Sequence, residues 1–205
     1  MEADGSKIQP LSYANLSEWA PSVMRDGRII WTRSEYIDKG ADFGHTLWAM
    51  RPDGTHPTLI FGNNTINCYA NGREVPGTQE ICSTLISHGG DLNGPIALID
   101  VSKGRSNPES IKNITPDVQF HTHMSWARKE CFRDPVPVSR DYFLVSHAPA
   151  DKFGLYVIDR YGNREVLYLD PAVGSMCPTL LRQVPTPPVL RSTIDPDLAE
   201  EHLGQ

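Results

Sequence analysis

Leu47-Trp48-Ala49-Met50, followed by Pro52-Asp53-Gly54-Thr55 and Thr58-Leu59-Ile60, decides the fold: a short apolar strand, a turn and a second short strand. The pattern recurs twice. Ile96-Ala97-Leu98-Ile99-Asp100 leads through a polar, glycine-containing stretch to Ile111-Lys112-Asn113-Ile114. Leu155-Tyr156-Val157-Ile158-Asp159 leads through Tyr161-Gly162-Asn163 to Val166-Leu167-Tyr168. The first members begin at Leu47, Ile96 and Leu155, spacings of 49 and 59 residues. A period of roughly 40–50 residues with several strands per unit is the pattern of a β-propeller blade.

Working outward, Trp19-Ala20-Pro21-Ser22 opens the first full unit, and an Asp26-Gly27 turn leads into Ile29-Ile30-Trp31-Thr32. Aspartate bonds its own backbone in turns and glycine supplies positive φ, so Asp-Gly is a hairpin signal. The second unit runs from Cys68, with Ile81–Ile86 as a strand and a glycine-rich loop from His88 to Gly94. In the third, Pro116–Arg133 has no clean period, and Met124–Cys131 reads as a helical turn or two. Pro135–Val138, a turn at Ser139–Asp141 and Tyr142–Ser146 follow. The expectation is an all-β partial β-propeller of about three four-stranded antiparallel blades, at 18–66, 67–117 and 118–172. Residues 1–17 repeat the turn and last strand of a preceding blade, with Gly5 lying 49 residues before Gly54. Residues 173–205, with Pro185, Pro187 and Pro188, form an extended linker or tail. Closing a propeller takes at least about four blades, so the sequence describes an open arc or a piece of a longer chain.

Composition narrows the function classes. Charged residues are 21% of the 205 and the net charge is −6, which carries no electrostatic footprint for nucleic acid. No run of about 18 apolar residues is present, so no helical membrane span is expected. The N-terminal stretch lacks a basic region followed by an apolar one, so it shows no secretion signal. Cys68, Cys82, Cys131 and Cys177 contain no C-x-x-C pair, which argues against a zinc ribbon, and buried free thiols are the expected state.

Candidate chemistry is sparse. His121 and His123 share a face if they lie on a strand, and Cys131 and Asp134 follow, so one zinc ion has a plausible ligand set in His121, His123 and Cys131. The other reading is an exposed histidine pair with Cys131 packed beneath it. His88-Gly89-Gly90-Asp91 leads to a strand, not to the helix a phosphate loop needs, and reads as a blade connection. Asp26, Asp53, Asp100, Asp141 and Asp159 recur with the repeat, which points to turn capping and away from acid–base catalysis. No G-x-S-x-G occurs, so no hydrolase nucleophile is expected. Trp19, Trp31 and Trp48 fall in the strand framework, where packing is the expected role; Trp126 lies outside it. Asn15-Leu16-Ser17, Asn63-Asn64-Thr65 and Asn113-Ile114-Thr115 match the glycosylation sequon by chance.

The repeated turn-and-strand units resemble TolB-type, WD-like propeller repeats. Longer strings resemble the hydrazine synthase alpha-subunit-like proteins of planctomycetes and related bacteria. They are Glu18–Ile29, Gly89–Asp100, Glu130–Pro135, Tyr142–Ser146 and Tyr161–Glu165. That resemblance implies a propeller inside a long exported, periplasmic protein whose haem c domains carry C-x-x-C-H elsewhere. The founding member joins nitric oxide and ammonia into hydrazine. No haem-attachment motif lies in these residues, so the resemblance implies no catalytic or haem-binding residue here. It implies a scaffold and a protein- or ligand-binding surface for other domains or protein partners. The alternative is part of a multi-domain haem c redox enzyme. Loops at Tyr36–Phe43, His88–Asn93 and His121–Arg133 are the expected functional positions, since propellers carry function on loops at one face.

Overall fold

The computed structural model describes residues 4–35, 44–65, 67–87, 92–118, 120 and 130–194. Three separate sheets form, each of four strands in chain order. The first holds β1 (Glu18–Val23), β2 (Ile29–Ser34), β3 (His45–Met50) and β4 (Thr58–Phe61). The second holds β5 (Cys68–Glu74), β6 (Glu80–Ile86), β7 (Ile96–Asp100) and β8 (Ile111–Asn113). The third holds β9 (Cys131–Pro137), β10 (Tyr142–Ala148), β11 (Gly154–Asp159) and β12 (Arg164–Tyr168). All pairings are antiparallel. No sheet closes on itself among the described residues, so the chain is an all-β arc of propeller blades.

Alternation along β7 explains why its strand reads as continuously apolar. Ala97 and Ile99 turn towards the first blade, where they join Met24, Ile30, Leu47, Ala49 and Phe61. Ile96 and Leu98 turn towards the third, where they meet Phe132, Phe143, Val145 and Ile158. A strand covered on both faces must be apolar at every position. Between the first two blades the rings of Phe61 and Tyr69 meet edge to face at 5.5 Å. β5 lies against β1, β2 and β3, and β9 lies against β5, β6 and β7, so the first strand of each later blade is the wedge that seats it.

Each first strand also carries the same irregularity. The register slips in β1 between Trp19 and Ser22, in β5 between Ala70 and Arg73, and in β9 opposite Leu144–Ser146. Ala20, Asn71 and Asp134 sit at these slips with φ of 53°, 57° and 54°. The next residues are Pro21, Gly72 and Pro135. Each is a β-bulge, with one residue forced into the left-handed region to bend the strand.

The turns are built as their composition predicts. Asp26, Asp53, Asp100 and Asp159 each accept a hydrogen bond from the backbone N–H two residues on. Asp141 differs: Ser139 Oγ accepts from its backbone, and its carboxylate pairs with Arg160 at 3.1 Å. At the N-terminus the Asp4–Ser6 turn forms, but no strand follows it. Residues 7–17 have no antiparallel neighbour to pair with among the described residues. Ser17 O accepts from Ser34 N, which ties this segment to the first blade.

Two short 3-10 turns, Val101–Lys103 and Pro108–Ser110, bridge β7 to β8. The cysteines are not uniformly buried: Cys68 and Cys82 are, Cys131 is half-buried and Cys177 is exposed.

Candidate functional site

A polar network forms where β9, β10 and β12 meet the β8–β9 connection. His147 on β10 lies opposite Phe132 on β9 and is 2% exposed. Its ring stacks on Phe132 at 4.1 Å and 12°, and meets Tyr156 edge to face at 4.6 Å. Its Nε2 lies 2.8 Å from Glu130 Oε1. A carboxylate only accepts, so Nε2 carries the proton. Nδ1 is then a bare acceptor, buried and without a partner among the described residues. Arg164 on β12 reaches Glu130 at 3.0 Å and Asp117 at 2.6 Å, with its guanidinium 5.7 Å from the centre of the Phe132 ring.

Burial pushes the His147 imidazole below its ordinary pKa; the Glu130 hydrogen bond opposes this and Arg164 adds to it. Burial, the largest single influence, raises Asp117, but the Arg164 hydrogen bond, a backbone hydrogen bond and the nearby positive charge together outweigh it and hold the carboxyl below its usual range. A histidine–carboxylate pair is the pattern of a general base. Here the second nitrogen is sealed from solvent, so the arrangement locks β9, β10, β12 and the β8–β9 connection together.

The sign of its pH dependence follows. The folded pKa of His147 lies below the unfolded value of about 6.5, so the unfolded chain binds more protons in mild acid. This contribution is complete above about pH 6.5 and is lost as pH falls towards the folded pKa. Asp117 and Asp159 are held below the ordinary carboxylate value, leaving the window to the histidine. Thermal unfolding followed by circular dichroism should show a midpoint about 2–4 °C lower at pH 5 than at pH 7. His147→Gln should flatten that slope.

The metal set fares differently. His121 and His123 lie outside the described residues, as do Trp126, residues 36–43 and residues 88–91. Cys131, read as part of the His121–Arg133 loop, and the following Asp134 are in strand β9: Cys131 opens it opposite Ala148. The loop reading fails because strand pairing starts at Cys131, ahead of the Pro135–Val138 run that marks the strand in sequence. The Asp134 carboxylate is committed elsewhere. Its Oδ2 accepts from Ser146 Oγ at 3.0 Å and Arg133 Nε at 3.0 Å, with Cys177 Sγ at 3.5 Å. The bulge turns Asp134 onto the Ser146 side of the sheet and makes this possible. Cys177 N donates to Ser146 Oγ at 2.9 Å, so the cluster clamps the C-terminal segment onto the third blade. Burial, and then the Asp134 charge, push the Cys177 thiol up, which disfavours the thiolate.

Trp31 and Trp48 pack as expected and keep their polar ends engaged, whereas Trp19 Nε1 is buried without a hydrogen-bond partner among the described residues. Trp31 is buried with Nε1 donating to Glu18 at 2.8 Å, and Trp48 Nε1 donates to Thr46 Oγ1 at 2.8 Å. Arg33 lies over the Trp48 ring at 5.0 Å. A cavity of about 250 Å³ opens between the N-terminal segment and the first blade, lined by Leu11, Tyr13, Trp31, Arg33, Met50 and Pro57 among others.

Fold and site thus define a propeller-blade protein whose polar clusters fasten strands together. No family model matches the sequence, and no curated protein matches it. Among solved structures the chain is similar to Kuenenia stuttgartiensis hydrazine synthase, with a TM-score of 0.62 and 20% identity over 78% of this chain. At that identity the likeness shows the fold. The matched region spans 21% of the hydrazine synthase chain, so this chain corresponds to about one fifth of that protein.

Proposed function

We propose that these residues form a non-catalytic propeller scaffold. It presents a protein- or ligand-binding surface to other domains or protein partners in an exported, periplasmic hydrazine-synthase-alpha-like protein. The observation that carries this reading is the outer edge of the third blade. Val166, Leu167, Tyr168, Leu169 and Val173 are all exposed there, on or just after edge strand β12, whose outer side pairs with no strand among the described residues. Contiguous exposed apolar surface marks an interaction site, and a bare strand edge invites a partner. The structural likeness to one fifth of a much larger chain supports it.

Leu167→Glu combined with Leu169→Glu in the full parent protein tests this. Limited proteolysis should cut the parent at least tenfold faster at the junctions of this segment, because the covering domain or partner is released. Unchanged proteolysis removes the edge as a binding surface.

A second reading is a part of a multi-domain haem c redox enzyme whose haem sites lie outside this segment; the name of the structural neighbour favours it. A zinc ion held by His121, His123 and Cys131 belongs to the same proposal. Haem and zinc content of the purified parent, with and without Cys131→Ser, separates these readings.

A further inference from the structure

The C-terminal segment is a strap with an exposed middle. Lys152 Nζ holds Pro171 O, Ser175 N bonds Phe153 O at 2.8 Å, and Cys177 docks on Ser146. Arg182 then donates to Val138 O at 2.7 Å. The far end is pinned to the first blade. Arg51 donates to Arg191 O, and Asp53 Oδ2 accepts from Thr193 N at 2.7 Å. Gly27 makes room for the Pro188 carbonyl: a Cβ there would lie 2.4 Å from it. Between the pins the chain has no regular structure, and Val184 and Val189 are 60% and 94% exposed.

The sequence fixes the conformation of this middle. Pro185, Pro187 and Pro188 lock φ near −65°, and the residues before them are driven to extended ψ. From 178 to 194 no peptide bond is cis and no residue has positive φ. These constraints favour polyproline II at 184–188, a helix of about three residues per turn without internal hydrogen bonds. At that period Arg182, Pro185, Pro188 and Arg191 fall on one ridge. Val184-Pro185 and Pro187-Pro188 form two apolar-proline pairs, one turn apart.

We propose that residues 182–191 are a recognition strap for a protein domain with an aromatic-lined, acid-rimmed groove that reads polyproline II. Such grooves take two x-Pro pairs and place a basic residue against carboxylates. Arg182 and Arg191 flank the prolines in this sense. Tethering at both ends lowers the ordering cost of binding, and Arg182 exchanges its bond to Val138 O for the partner's acid. This deepens the binding-surface reading by naming a class of partner, on a surface separate from the third-blade edge.

The probe is a recombinant SH3 domain of the type that selects Arg-x-x-Pro-x-x-Pro, titrated with the full chain by NMR. The expected result is saturable shifts in its aromatic groove with a dissociation constant below about 1 mM. Pro185→Ala with Pro188→Ala should weaken binding at least tenfold and Arg182→Ala about fivefold, while Ile8→Ala, at an exposed residue outside the strap, should leave it unchanged. Circular dichroism should be the same for all, since every change is on an exposed residue; if the double variant loses the blade spectrum, Arg182→Ala decides. Absence of shifts with the unvaried chain, or equal affinity in the proline variant, overturns the proposal. Neither result touches the proteolysis test of the third-blade edge.

Discussion

Replacing Phe132 by alanine should cost the chain about 3–5 kcal/mol, read as a lower urea midpoint with little change in slope. Phe132 is fully buried in the cluster that joins the second and third blades. Its ring supports more than apolar packing. One face stacks on His147, and the Arg164 guanidinium lies near the ring. Truncation therefore opens a cavity and also withdraws cover from the Glu130–His147–Arg164 network. With roughly 2–4 °C lost per kcal/mol at this size, the thermal midpoint should fall by about 10 °C. A loss under about 1 kcal/mol would mean that the blades do not share this core. His147→Phe discriminates further: it keeps a ring on Phe132 while removing the orphaned nitrogen, and should destabilise much less.

Strands covered on both faces were legible in the sequence because burial forces them to be apolar. β3, β4 and β7 stand where their runs place them, and β10 and β11 extend theirs by a residue or two. The turn aspartates were equally legible, since an Asx turn needs only its own neighbours. First strands were harder. In β5, Asn71-Gly72 has the composition of a hairpin turn, yet it sits mid-strand as a bulge. Local chemistry is the same in both settings; only the neighbouring blade decides between them. The bulge in β9 is likewise what brings Asp134 to Ser146, a pairing twelve residues apart that no short motif announces.

The strap shows the same limit. Prolines made its extended form readable, but its pins join Asp53 to Thr193, 140 residues apart. A contact of that separation leaves no local trace. His147 was missed for a related reason. It lies in an apolar strand, and its partners Glu130, Arg164 and Asp117 come from three other segments. A lone histidine in such a run carries no sign of a network. The zinc set of His121, His123 and Cys131 was drawn from sequence proximity; both histidines lie outside the described residues, and the neighbouring Asp134 carboxylate is engaged by Arg133 and Ser146.

Gly94→Ala should destabilise the chain by about 3–5 kcal/mol through a different route from Phe132→Ala. Gly94 and Phe132 exchange two backbone hydrogen bonds, each 2.9 Å, which form the backbone bridge between the second and third blades among the described residues. A Cβ on Gly94 would lie 1.9 Å from the Leu85 carbonyl oxygen and 3.1 Å from its carbon. That neighbour is backbone, and Leu85 N already bonds Pro95 O at 2.9 Å, so neither side yields easily. The glycine is thus required by close approach and not by positive φ. Relieving the clash pushes residue 94 away from β6 and breaks its pair with Phe132. Hydrogen exchange distinguishes this from a cavity. In Gly94→Ala the Phe132 amide should lose protection at least tenfold more than the amides of β10–β11 pairs such as Val145–Tyr156. In Phe132→Ala, protection should fall across the third blade together, because the shared core is what fails. If Gly94→Ala leaves the Phe132 amide protected, the backbone bridge survives the substitution and the clash with Leu85 is relieved without breaking it, which would overturn this route.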